Sequence, residues 1–117
     1  CSIIQEAFIE ALKGTQKIVD NMRLEFKKRR DYFLNGLNDI NGISCVKPEG
    51  AFYLYPNISA RFNEKIKSSS EFAEMLLDKL HIAAVPGEAF GTNKHIRFSY
   101  AASLSEIQEC IKRLKNL

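Results

Sequence analysis

The chain has 117 residues, of which 45% are hydrophobic and 26% charged. That is room for one domain with one core, in a globular composition and not a disordered one. Seventeen Lys and Arg against fourteen Asp and Glu leave a net charge of +3, too small an excess to argue for nucleic acid or a membrane surface as partner.

No stretch approaches the ~18 apolar residues that span a bilayer, and no basic start followed by an apolar run marks a leader. The first residue is Cys1 and not Met, so the expectation is a piece of something longer. Cys1, Cys45 and Cys110 form neither a disulfide framework nor a zinc spacing, which points to a reducing, cytoplasmic compartment. Cys45 and Cys110 sit in apolar surroundings and read as buried small hydrophobes.

In chain order, Ser2 and Gln5 have the spacing of a capping box, with Ile4, Phe8, Ala11 and Leu12 on one helical face up to Gly14. A longer helix is expected from about Thr15 to Asp39, its stripe carried by Ile18, Met22, Phe26, Phe33, Leu37 and Ile40. Ile43 to Lys47 reads as a strand, Pro48-Glu49-Gly50 as a turn, and Ala51 to Tyr55 as a second strand completing a hairpin. Asn57 to Lys67 reads as a polar surface loop.

Ser68 and Glu71 cap a helix that buries Phe72, Ala73, Leu76, Leu77 and Leu80. Ile82 to Val85 is a short apolar strand, and Pro86 to Asn93 a loop with two flexible points at Gly87 and Gly91. From His95 to Ala101 the pattern alternates: Ile96, Phe98 and Tyr100 face one way, His95, Arg97 and Ser99 the other. Ser103 and Glu106 cap a last helix striped by Leu104, Ile107, Ile111 and Leu114. The order is α-α-β-β-α-β-β-α, an α/β arrangement in two layers with helices covering a small mixed sheet.

Most of the conspicuous residues have ordinary explanations. Lys27-Lys28-Arg29-Arg30 covers a whole helical turn, so its charges diverge, and Glu25 and Asp31 are four residues from Arg29 and Lys27. A solvated helix face suits it better than a nucleic-acid site. His81 and His95 have no ligand-spaced partners, so no metal site is expected. There is no nucleophile elbow, no dinucleotide fingerprint and no P-loop.

Arg97 is different. It lies in mid-strand between Ile96 and Phe98, where a guanidinium is expensive unless something pairs with it. Two partners fit its planar fork: an internal carboxylate, for example Glu88, or the carboxylate of a ligand.

Four segments, Phe26 to Tyr32, Pro48 to Tyr53, Val85 to Gly91 and His95 to Ala101, in this order and spacing resemble the C-terminal small domain of class I, fold-type I aminotransferases. The bacterial aspartate aminotransferase branch is the nearest. The resemblance covers nearly the whole chain. It implies a parent enzyme that uses pyridoxal phosphate and is a homodimer. Its substrates would be amino acids and 2-oxo acids, with the amino group moving from aspartate or a similar dicarboxylate to 2-oxoglutarate. It implies that Arg97 binds the substrate α-carboxylate, that the Pro86 to Asn93 loop lies at the site entrance with Phe90 at its edge excluding water, and that the first two helices lie on the hinge side of a closing domain. The family's Schiff-base lysine sits in a Ser-x-Ser-Lys stretch, and no lysine here has that context. The expectation is therefore one domain over residues 1–117, without the large cofactor-binding domain and inactive alone. The alternative is a stand-alone carboxylate-binding module without catalysis. A basic nucleic-acid binder acting through Lys27 to Arg30 is weaker still.

Overall fold

A computed structural model describes residues 1–117. Four α-helices, α1 (Ser2–Lys13), α2 (Lys17–Asn38), α3 (Ser69–Leu80) and α4 (Leu104–Leu114), accompany three short strands, β1 (Tyr53–Leu54), β2 (Val85–Pro86) and β3 (Ile96–Ser99). Single 3-10 turns at Ser59–Arg61 and Gly87–Phe90 complete the order.

The strands form one antiparallel sheet in the order β1-β3-β2, with Tyr53 opposite Ser99, Leu54 opposite Phe98, Val85 opposite Arg97 and Pro86 opposite Ile96. Pro86 has no N–H to give a ladder, and it sits at the sheet edge where none is required. The inward face of β3, Ile96 and Phe98, is buried. It packs with Phe33, Leu37, Phe72, Leu76, Ile107, Ile111 and Leu114 from the helices into one core. Phe33 meets Phe98 edge to face at 5.7 Å. Gly36 lets α2 and α4 approach closely, since a Cβ there would fall on the Ile111 side chain.

The two-layer arrangement of helices on a small sheet is as the alternation and the caps suggest. Ser68 with Glu71, and Ser103 with Glu106, both form complete capping boxes. Ser2 does not: it lies inside α1, whose N-cap is Cys1 and has no side-chain cap bond.

The strand expected at Ile43–Lys47 is absent as a ladder; only Ser44 bridges to Asn57. The Asn38 side chain explains this, because its Oδ1 accepts from the Cys45 amide and its Nδ2 donates to the Cys45 carbonyl. With those groups satisfied locally, a hairpin has little to offer. β1 pairs instead with β3, far along the chain.

The strand expected at Ile82–Val85 shifts to Val85–Pro86. His81 ends α3 in the left-handed region, φ 53°, and the Ile82 amide turns back to the Leu76 carbonyl. The segment after Tyr55 is less of a surface loop than its polarity suggests. Ile58 is fully buried, and the Asn57 and Asn63 side chains accept from nearby backbone amides, as Asx turns do.

The apolar stripe of the first two helices is only half used. α1 buries no residue, and in α2 burial is confined to Phe33, Leu34, Gly36 and Leu37. Ile4, Phe8, Leu12, Ile18 and Met22 are all exposed. These two helices give the chain its length, 57 Å against 28 and 24 Å. No helix is long and apolar enough to cross a membrane.

Candidate functional site

The core takes one face of the sheet. On β3 the alternate residues Arg97 and Ser99 point the other way, and Tyr53 of β1, opposite Ser99, shares that side. Arg97 is partly buried there and forms no ion pair. The ion pairs of the chain involve Arg23, Arg29, Arg30, Lys47, Lys112 and Arg113. Of the two partners open to it in the sequence, the internal carboxylate is not used. The Glu88 carboxylate accepts from the Ser70 hydroxyl and its amide donates to the buried Ser69 hydroxyl, which ties the loop to the start of α3.

Two aromatic rings hold Arg97 instead. Its guanidinium carbon lies 5.0 Å from the Phe90 ring centre and 5.5 Å from that of Tyr53. Both distances fall within cation–π range. Arg97 and Phe90, singled out from sequence, are thus brought together. Tyr53 was legible only as part of a motif. Its role follows from the β1–β3 register, and the signal was there: aromatic residues at alternate positions 53 and 55, against the polar alternates 95, 97 and 99.

Phe90 is itself supported. Its ring meets Tyr55 edge to face at 5.9 Å, and Tyr55 stacks on His95 at 5.0 Å and 14°. The Tyr55 hydroxyl donates to the Gly87 carbonyl at 3.3 Å, and Thr92 Oγ1 lies 3.2 Å from His95 Nδ1. Burial pushes the Tyr55 phenol above its ordinary range, so it stays a neutral donor. Gly87 is not a flexible point: a Cβ there would strike the His95 and Thr92 carbonyls. Gly91, at φ 82°, does supply a left-handed turn after Phe90.

Of the two local pairs expected of the charge run, Glu25 with Arg29 forms and Lys27 with Asp31 does not. Arg29 bonds Glu25 at 2.8 Å and the Ala102 carbonyl, and Arg30 bonds Asp31 and the Pro48 carbonyl. Asp31 takes Arg30 and Lys47 as partners where Lys27 was expected. The Arg30 hydrogen bond is the main reason its carboxyl is held below the usual range. A cavity of about 590 Å³ beside this run is lined by Arg23, Phe26, Lys27, Arg30, Lys47 and Phe52 among others, and does not include Arg97.

Pyridoxal phosphate, implied by the resemblance, needs a lysine amine to anchor it. All of the lysines here are exposed, and the cavity that Lys27 and Lys47 line does not include Arg97. The residues present do not fit as its anchor. No group of three or more His, Cys, Asp and Glu converges as metal ligands do.

Residues 1–114 match the family model described as "Aminotransferase class I and II". A probable aspartate/prephenate aminotransferase of Rickettsia prowazekii is 43% identical over 99% of this chain, which spans 31% of that protein. An aspartate aminotransferase of Rhizobium meliloti is 39% identical over 97% of the chain and 29% of its own length. The crystal structure of the aspartate aminotransferase from Rhizobium meliloti superposes with a TM-score of 0.93 at 38% identity, covering 98% of this chain and 30% of that one. An aromatic aminotransferase from Pyrococcus horikoshii does so at 0.81 and 35% identity, over 92% and 28%. The chain therefore spans about three tenths of the length of the relatives it matches. With the family model covering all but its last three residues, this chain belongs to the class I and II aminotransferases.

Proposed function

We propose that the protein carrying this chain is a pyridoxal-phosphate aminotransferase that moves an amino group from aspartate, or a similar dicarboxylate, to 2-oxoglutarate. In this reading the chain is its C-terminal small domain and Arg97 is the residue that binds the substrate α-carboxylate. The observation that carries the reading is an arginine on the outward face of β3 with no carboxylate partner in its own chain. The relatives support the choice of aspartate by their names.

The chemistry suits the residue. Every amino acid and every 2-oxo acid carries the same carboxylate beside the reacting carbon. One bidentate clamp therefore serves both halves of the exchange, and fixing that group also orients the Cα–H bond. Phe90 stands at the edge of the site, half exposed, where an apolar ring keeps water from the carboxylate and strengthens the ion pair. The cofactor anchor belongs to residues outside this chain, so the chain alone is inactive.

The full-length protein acts as a homodimer in the cytoplasm on this reading, and the three free thiols suit a reducing compartment. The test is steady-state kinetics of the full-length protein with aspartate and 2-oxoglutarate. Arg97→Ala raises KM for aspartate and lowers kcat together, by about a hundredfold or more in kcat/KM, because two charge-assisted bonds and the orientation they impose are lost at once. An unchanged KM removes Arg97 from the site, and a full-length protein with no transaminase activity removes the enzyme reading.

A further inference from the structure

We infer that Tyr53 and Phe90 are positioning residues for Arg97, and that Tyr55 stacked on His95 is the buttress that holds Phe90 in place. The inference rests on the reading of Arg97 as the α-carboxylate clamp.

A long arginine side chain on an outward sheet face carries about 2 kcal/mol of rotamer entropy. An internal carboxylate would order it, but would also occupy the fork that the substrate needs. The chain solves this with rings. Tyr53 reaches Arg97 from β1 on one side of the central strand, at 5.5 Å. Phe90 reaches it from the turn that follows β2, the strand on the other side, at 5.0 Å. Aromatic faces attract the guanidinium through its plane and provide no competing acceptor. Its N–H groups lie in that plane and stay free for a carboxylate.

Phe90 lies on a loop, yet the loop is fastened at several points. The Gly87 amide donates to the His95 carbonyl at 2.9 Å. Glu88 is bound to Ser69 and Ser70. The Tyr55 hydroxyl holds the Gly87 carbonyl while its ring lies between Phe90 and His95. The continuous series His95, Tyr55, Phe90, Arg97 therefore links the base of the loop to the clamp.

The test uses the full-length protein and glutarate, a dicarboxylate with neither an amino nor a keto group, so that its dissociation constant by calorimetry reads carboxylate binding without turnover. Phe90→Leu and Tyr53→Leu are expected to weaken glutarate about three- to thirtyfold, and Tyr53→Phe, which keeps the ring, by less than about twofold. In an Arg97→Ala background, Phe90→Leu is expected to add less than about twofold, because a positioning residue acts only through what it positions. Both side chains are partly exposed, Phe90 at 50% and Tyr53 at 38%, so these truncations leave the core intact. Phe90→Tyr is expected to restore the binding that Phe90→Leu loses.

Unchanged glutarate binding in Phe90→Leu and Tyr53→Leu, beside a large loss in Arg97→Ala, overturns the positioning role and leaves the clamp standing. A full loss from Phe90→Leu in the Arg97→Ala background overturns it too. Unchanged binding in Arg97→Ala overturns the clamp and the inference with it.

Discussion

The amide of Gly87 donates a 2.9 Å hydrogen bond to the carbonyl of His95, two residues before Arg97. The bond joins the turn that carries Phe90 to the strand that carries the arginine. It forms because the backbone at Gly87 approaches the backbone at His95 and Thr92 more closely than any side chain allows. Sheet pairing, loop position and the surroundings of Arg97 therefore depend on one residue having no Cβ.

Gly87→Ala is expected to destabilise the protein by about 1–3 kcal/mol, as overpacking against backbone does. Gly50→Ala is the control, since a Cβ there meets nothing within 4 Å. Urea denaturation of the two variants checks it. Equal midpoints would contradict the close approach.

The serine caps divide in a way that can be measured. Ser68→Ala and Ser103→Ala each remove the acceptor of a complete capping box and are expected to cost about 1 kcal/mol. Ser2→Ala is expected to be neutral, because Ser2 accepts nothing as a cap and α1 buries no residue. A loss from Ser2→Ala as large as that from Ser68→Ala would contradict the placement of α1.

These caps mark what can be read from sequence. Ser68–Glu71 and Ser103–Glu106 are local devices, and the alternation from His95 to Ala101 fixes which face of β3 carries Arg97; all of this is visible in short windows. The strand at Ile43–Lys47 fails for a reason no such window shows: one side chain, Asn38, satisfies both backbone groups of Cys45. The stripe through Ile4, Phe8 and Leu12 predicts a helix correctly but says nothing of what covers it, and here nothing in the chain does. Arg97 stood out within its own segment, and Phe90 only through the family resemblance. Tyr53 and Tyr55 did not: Tyr53 comes beside the arginine only through the pairing of β1 with β3 across more than forty residues, and Tyr55 lies one step further off, against Phe90 and His95.

Cys110 offers a pH test. Burial pushes its thiol from the ordinary 9.0 up to about 11, and Cys45 is raised by the same cause. The folded state favours the protonated form. Its contribution is complete below the ordinary thiol value and lost as pH rises from there toward about 11. Urea midpoints should fall over that interval, and Cys110→Ala should flatten the fall. At pH 8, a thiol reagent should label exposed Cys1 first and Cys110 slowly. Equal labelling rates would contradict the burial.

The chain alone is expected to form no stoichiometric reduced adduct when incubated with pyridoxal phosphate and then borohydride. All of its lysines are exposed and none lies in a Ser-x-Ser-Lys stretch. Intact mass spectrometry reads the outcome. One reduced cofactor per chain on a single lysine would show that the anchor lies within these residues after all.

The claim that Arg97 reads the α-carboxylate is tested most directly by removing that group from the substrate. β-Alanine is aspartate without its α-carboxylate. In the full-length protein, the ratio of kcat/KM for aspartate over β-alanine reports what that one group contributes. Arg97→Ala is expected to collapse the ratio by about a hundredfold or more, almost wholly through aspartate, since the two lost bonds are charge-assisted. A ratio that survives the substitution would contradict it.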